Sequence, residues 1–298
     1  MDKHVPWESL DTQNLKLLDH VLDENDNFWV VNEINEKFGP LGYLLYETVE
    51  NSDRYNTMMQ KYYIRHLCKE LIPIPRSINA VFKPQKCLFY SKNILPKKWK
   101  DFVDVLNKIG IDDKDIGIFG SYLIGFEIKK DVDFVIYKLE NLYKLYSNLE
   151  MVKSYLHATN ISKEHVLYQF NKHKSFYPIE CDLEEIISRN LFGMQLENDI
   201  LSTYRFIDIN NTITPNVQNN KNETIVGKVL QSITSSCLPR FVTLQVGEKI
   251  YKVYTSKWKF QSFARDNDIL QLYGKVDHER KIITLNDNFS YIKILNKK

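Results

Sequence analysis

Two aspartates one residue apart, Asp131 and Asp133, follow a Gly-Ser pair by nine residues, and this arrangement constrains the chain more than any other feature. The stretch from Asp115 to Tyr137, DIGIFGSYLIGFEIKKDVDFVIY, reads as an apolar strand, a Gly-Ser turn, a short helical turn and a second strand opening with Asp-Val-Asp. Residues two apart on a strand share a face, so Asp131 and Asp133 present their carboxylates together. Val132 points the other way, and Phe134 to Tyr137 continue a run apolar enough to be buried. Two neighbouring anions repel unless a cation or a shared proton relieves them. Hard divalent cations with oxygen ligands, Mg²⁺ above all, are the usual relief. Gly120-Ser121 ends a strand where a helical turn begins, so its backbone N–H groups and the Ser hydroxyl can hold phosphate oxygens. A phosphate cradle beside a metal-binding carboxylate pair suits metal-assisted phosphoryl or nucleotidyl transfer.

A lone Asp-x-Asp more often decorates a solvated strand edge; the apolar strand, the Gly-Ser turn and the gap make this one specific. Other phosphate motifs fail. No Gly-Lys-Ser/Thr follows Gly120-x-x-x-x-Gly125, and the spacing of Gly117, Gly120 and Gly125 is not a dinucleotide fingerprint.

Gly120-Ser121, nine residues, then Asp131-Val132-Asp133 resembles the signature of the DNA polymerase β-like nucleotidyltransferase superfamily. The fuller string FGSYLIGF…DVDFVIY is similar, more narrowly, to uncharacterised archaeal and bacterial predicted nucleotidyltransferases with added N-terminal parts and a C-terminal β-barrel extension. The motif covers Gly120 to Asp133, within a domain from about Pro96 to Ile209. The resemblance implies an α+β fold: a polymerase β-like palm, a mixed sheet with flanking helices, plus a small all-β barrel. It implies Asp131 and Asp133 as catalytic ligands of Mg²⁺ (or Mn²⁺), and Gly120, Ser121 and Lys130 at the nucleotide. The substrate would be an NTP, and the acceptor hydroxyl an RNA end, a protein or a second nucleotide. Many members carry Ser before the first Asp and Arg after the Gly-Ser; here those places hold Lys130 and Tyr122. Family enzymes also carry a third acid on a following strand. Glu180 and Asp182 are candidates if YPIECDL is that strand, and Asp182 is taken as the catalytic one. Ile179, Leu183, Ile186 and Ile187 nevertheless fit a helix better, and the next strand, Leu201 to Ile209, carries Ser202, Thr203 and Arg205.

The chain divides by pattern into an N-terminal α/β extension with a proline-rich arm (1–92), a nucleotidyltransferase domain (93–210), a linker (211–222) and a barrel (223–298). In the first part, Leu15, Leu17, Leu18 and Val21 suggest a helix from Leu10 to Leu22, and strands are expected at Phe28 to Val31, Tyr43 to Thr48 and Thr57 to Ile64. Gly39-Pro40-Leu41-Gly42 reads as a turn, and LIPIPRSINAVFKPQKCLFY as an irregular arm broken by Pro73, Pro75 and Pro84. From Pro96, the stripe Trp99, Phe102, Val103, Leu106 and Ile109 predicts a helix ended by Gly110. Leu142, Leu145, Leu149, Val152 and Leu156 predict another.

Beyond the Asn-rich segment 210–222, apolar runs recur at 224–230, 241–246, 249–254, 269–276, 281–285 and 291–295. Such short, closely spaced strands predict a small closed barrel, OB-like or Sm-like. Residues 221–298 hold 14 Lys and Arg against 7 Asp and Glu, a surplus of 7 that points weakly to a nucleic-acid partner. Tyr251, Tyr254, Trp258, Phe260 and Phe263, among Lys252, Lys257 and Lys259, are either a stacking surface for single strands or barrel core. Cys68, Cys87, Cys181 and Cys237 form no Cys-x-x-Cys pair, which disfavours zinc and suits free thiols in a reducing cytoplasm. No apolar run approaches membrane length, so no membrane partner is expected.

Overall fold

The computed structural model describes residues 8–9, 14–48, 62–64, 71–120, 122–124, 132–190, 192–196, 200–217 and 221–296. The fold is α+β, and the chain forms two compact units: residues 1–34, 38–160 and 192–210 in one, 35–37, 161–191 and 211–298 in the other.

The first unit contains two sheets. The N-terminal sheet comprises β1 (Glu8–Ser9), β2 (His20–Asp23), β3 (Phe28–Asn35), β4 (Gly39–Thr48), β5 (Tyr62–Ile64), β6 (Ile72–Pro73) and β7 (Ile78–Phe82), in the order β1-β7-β2-β3-β4-β5 with β6 on β4. Where a helix was expected to run through Leu22, β2 forms, and all four of its residues are buried. A segment covered on both faces shows no one-sided pattern to separate strand from helix. The turn falls at Glu36–Phe38, ahead of the expected Gly-Pro-Leu-Gly, and Gly39 to Gly42 begin β4. The proline-rich arm is regular too: β6, β7 and α1 (Pro84–Ser91) occupy it. Pro84 starts that helix instead of breaking it, because the first helical position needs no N–H.

Next come α2 (Lys97–Lys108), β8 (Ile116–Phe119), β9 (Asp133–Tyr137), α3 (Leu139–Ser147), α4 (Leu149–Tyr155) and β10 (Thr159–Asn160). The predicted helix from Leu142 to Leu156 is two helices that meet at Asn148. The second sheet runs β10-β11-β12-β9-β8, with β11 (Met194–Leu196) and β12 (Ile200–Ile207). β8 is antiparallel to β9, and β9 is parallel to β12. Helix α2 covers one face: Trp99 and Phe102 lie 6.0 and 4.8 Å from Phe134, and Phe102 lies 5.6 Å from Tyr204. Each such buried aromatic contributes about 1.5–3 kcal/mol by leaving water. Gly110, at φ +84°, follows the last turn of α2 as expected.

The second unit is built on a closed five-stranded barrel. Its strands are β14 (Asn222–Gln231), β16 (Arg240–Val246), β17 (Lys249–Thr255), β18 (Ile269–Asp277) and β19 (Ile282–Thr284), in the ring order β14-β16-β17-β19-β18-β14. β20 (Tyr291–Ile294) adds to β18, and the short β13 (Ile213–Thr214) and β15 (Cys237–Leu238) precede and interrupt the ring strands. All ring pairs are antiparallel except β17 with β19. Residues 161–191, expected in the domain with the Asp-x-Asp strand, belong here and form α5 (Lys163–His173) and α6 (Leu183–Ser188). The reason is packing. Ile186 is fully buried in the cluster of Leu244, Phe260, Leu272 and Ile292, with Tyr177 and Cys181 against it.

Candidate functional site

Strand β8, Ile-Gly-Ile-Phe, is fully buried and ends at the Gly-Ser turn. A side chain at Gly117 would meet the backbone of Pro84 and Gln85 at 2.7–2.9 Å, so the start of α1 lies directly on this strand. At Gly120 the backbone takes φ +73°, the left-handed region that glycine enters without cost. The turn brings Gly120 against Asp133: a Cβ there would lie 2.4 Å from Asp133 Oδ2. Pairing fixes the approach, since Phe119 sits opposite Asp133 in the β8–β9 register. Asp133 is half-buried at the start of β9, after the buried Val132 and before four buried residues. Ser121, Lys130 and Asp131 lie outside the described residues.

On its other side β9 is flanked by β12. There Thr203 is the register partner of Asp133, and Arg205 that of Val135. From Ile200 to Ile207 the β12 sequence contains no carboxylate. Arg205 is 6% exposed. Burial pushes its guanidinium down to about 10, against the opposing pull of the Asp133 and Tyr43 charges. Tyr43, itself buried, comes from β4 of the N-terminal sheet. That sheet reaches β9 a second time. Tyr137 is held well above the usual phenol range, first by burial and then by the charge of Asp19. Asp19 is raised to about 6, mainly by burial, although Lys83 Nζ donates to its Oδ2 at 2.7 Å. The N-terminal extension, to which the sequence attached no role, therefore supplies the surroundings of the face that carries Asp133 and Arg205.

Tyr122, in the turn after Gly120, packs towards α1, where its hydroxyl shares a hydrogen bond with Ser91. Asp182 is not on the strand beside Asp133. It stands at the start of α6 in the second unit, where its Oδ2 accepts the Ile294 N–H at 2.6 Å. It lines a groove of about 630 Å³ with Lys163, Phe170, Glu184 and Glu185. Among the described residues no three His, Cys, Asp or Glu side chains are grouped as a metal site, and Asp131 is not among those residues.

Comparison with known proteins adds nothing to this geometry: no family model, no curated protein and no solved structure matches the chain. No helix among the described residues is long and apolar enough to cross a membrane.

Arg205 is placed on its strand by the sequence but given no role there. Its signal was present: one arginine inside the apolar run Tyr204-Arg205-Phe206-Ile207 must either face water or be compensated. The proposed stacking aromatics Tyr251, Tyr254, Phe260 and Phe263 are buried, each at most 6% exposed: Tyr251, Phe260 and Phe263 belong to the barrel core, and Tyr254, on the opposite face of β17 from Tyr251, packs with its ring 5.6 Å from that of Phe241. The Trp258 side chain lies outside the description.

Proposed function

We propose that the first unit is a nucleotidyltransferase of polymerase β-like architecture, which moves an NMP from an NTP to an acceptor hydroxyl. The observation that carries this reading is the seating of Gly120 against the Asp133 carboxylate. A residue without a side chain, held at positive φ beside a half-buried carboxylate, leaves room for phosphate oxygens where a cation would sit. The antiparallel β8–β9 pair with β12 parallel to β9, and α2 on the far face, supports a mixed palm sheet. Asp131 and Asp133 would hold Mg²⁺, which when bound supplies charge neutralisation for the triphosphate. The turn at Gly120-Ser121 orients the β- and γ-phosphates, so that the acceptor oxygen can bond to the α-phosphorus as its bond to pyrophosphate breaks. The acceptor proton leaves to solvent. The ring order of the barrel, with its single parallel pair β17–β19, favours the OB-like arrangement over the Sm-like one.

One observation favours a second reading, a binding protein without catalysis. A buried cation, Arg205, stands on the strand where a third carboxylate would be expected, and it partly compensates Asp133 without a metal. The experiment that separates the two incubates the full chain with each of four α-labelled NTPs, Mg²⁺ or Mn²⁺ and total RNA, beside an Asp131→Ala/Asp133→Ala variant checked for folding. Label in RNA, in protein or in a small product, and absent from the variant, supports transfer and names the acceptor. Metal-dependent NTP binding without any transfer leaves the binding reading.

A further inference from the structure

We propose that the outer face of β14, β18 and β20 binds single-stranded nucleic acid. This surface is independent of the nucleotide chemistry proposed for the first unit. It is set by the strict alternation of β18, whose Leu270, Leu272 and Val276 fill the barrel while Gln271, Tyr273 and Lys275 face outward. Register then assembles the face row by row. Tyr273 lies between Thr224 and Tyr291, Gln271 lies between Val226 and Lys293, and Ile269 pairs with Lys228.

The two tyrosines stack, with ring centroids 5.4 Å apart and planes inclined by 22°. Gln271 Nε2 donates to the Tyr291 hydroxyl at 3.2 Å and fixes that ring in place. Both rings are half-exposed, and Val226 beside them is 47% exposed. A solvated sheet face would mix both signs of charge. Here Thr224 to Lys228, Ile269 to Lys275 and all of β20 contain three lysines and no carboxylate; the acid on this face of β18, Asp277, stands at the strand's end, two rows beyond Tyr273, where it accepts the Arg280 N–H.

Cations framing a fixed aromatic pair match a ligand with regularly spaced anions and flat unpaired rings, the chemistry of a single strand. Successive rows along the strands are about 6.8 Å apart, comparable to the reach between neighbouring nucleotides in an extended strand. A duplex hides its ring faces, and an acidic peptide has none to stack. The described aromatics first expected to serve this purpose, on β17 and in the segment that follows it, are buried, and the exposed aromatic pair stands on β18 and β20 instead.

The test measures anisotropy of fluorescein-labelled 12-nucleotide oligo(U) and oligo(dT) with the full chain, over a range of salt. Lys228→Glu/Lys293→Glu should weaken binding at least tenfold, and reduce the slope of log affinity against log salt by about 2. Tyr273→Leu/Tyr291→Leu should weaken it by roughly ten- to a hundredfold with the slope unchanged. Lys249→Glu/Lys252→Glu, the same charge change at exposed positions on β17, should leave both as in the wild type. Circular dichroism confirms folding, and the exposed lysine pair keeps the test valid if the tyrosine variant misfolds. The proposal is overturned if neither oligonucleotide binds, if the β17 variant loses as much as the face variants, or if polyglutamate competes as well as oligo(U). An Asp133→Ala variant that folds should bind the oligonucleotides normally, so failure of the catalytic reading would not be mistaken for failure of this one.

Discussion

Gly120 and Asp133 pack so closely that a methyl group on Gly120 would lie 2.4 Å from Asp133 Oδ2. Gly120→Ala therefore adds strain at φ +73°, roughly 1–2 kcal/mol, and pushes the carboxylate out of place. If the proposed transfer depends on that carboxylate, a displacement near 1 Å should lower it by about a hundredfold. The check is labelled-NTP transfer alongside urea unfolding. A folded Gly120→Ala protein with the wild-type rate would show that this contact plays no part in the chemistry.

Removing either member of the Asp133–Arg205 pair has unequal consequences. Asp133 is half-buried and can hydrate when its partner is lost, whereas Arg205 is shut away from water. Asp133→Asn leaves the guanidinium less compensated and should cost about 2–4 kcal/mol, while Arg205→Met should cost under about 1 kcal/mol. Urea unfolding at pH 7 measures both. The opposite order would mean that Arg205 matters for packing and not as a charge.

Two adjacent residues give opposing pH dependences. His20 is fully buried, with Nδ1 3.0 Å from the Leu18 carbonyl oxygen, and burial lowers its pKa from 6.5 to about 4. The unfolded chain takes up that proton first, so stability is lost as pH falls from 6.5 to 4, by about 3 kcal/mol in full. Asp19 is raised from 3.8 to about 6. The folded chain takes up its proton first, so its contribution is present below 3.8 and lost as pH rises through 6. Between pH 4 and 6 the two nearly cancel. Compared with wild type, Asp19→Asn should become less stable on acidification across that window, and His20→Asn more stable. Unfolding curves at pH 4, 5 and 6 decide it, and parallel profiles for all three proteins would contradict it.

Ile186 tests whether the segment 161–191 belongs to the barrel. It is fully buried among barrel residues, so Ile186→Ala should cost about 2–4 kcal/mol. The loss should appear in the unfolding of the barrel aromatics, followed by tyrosine and tryptophan fluorescence. A change under 0.5 kcal/mol, the scale of an ordinary surface substitution, would place α6 outside that core.

The barrel was legible because its strands bury one face each. The alternation in β18 and the runs at 224–230, 241–246 and 249–254 come within two residues of the observed ends. Helix α2 was legible for the same reason at a period of 3.6. Where both faces are covered, as in β2, that signal vanishes and a helix was expected. Pro84 misled because proline both stops and starts helices. In the site, the Gly-Ser and Asp-x-Asp elements are local in sequence and could be read directly. The pairing of Asp133 with Arg205 joins residues 72 positions apart through strand register, which no local pattern records.

The route of the chain has a consequence for synthesis. β12, which completes the sheet beside Asp133, follows a 31-residue excursion, 161–191, whose helix α6 packs on α5 and buries Ile186 among barrel residues from 229 onward. A ribosome therefore exposes the apolar side of α6 before the barrel exists to receive it, and a protein truncated after residue 210 would carry that side permanently uncovered. Expression of the first 210 residues alone should thus yield a fragment more prone to aggregation than the full chain.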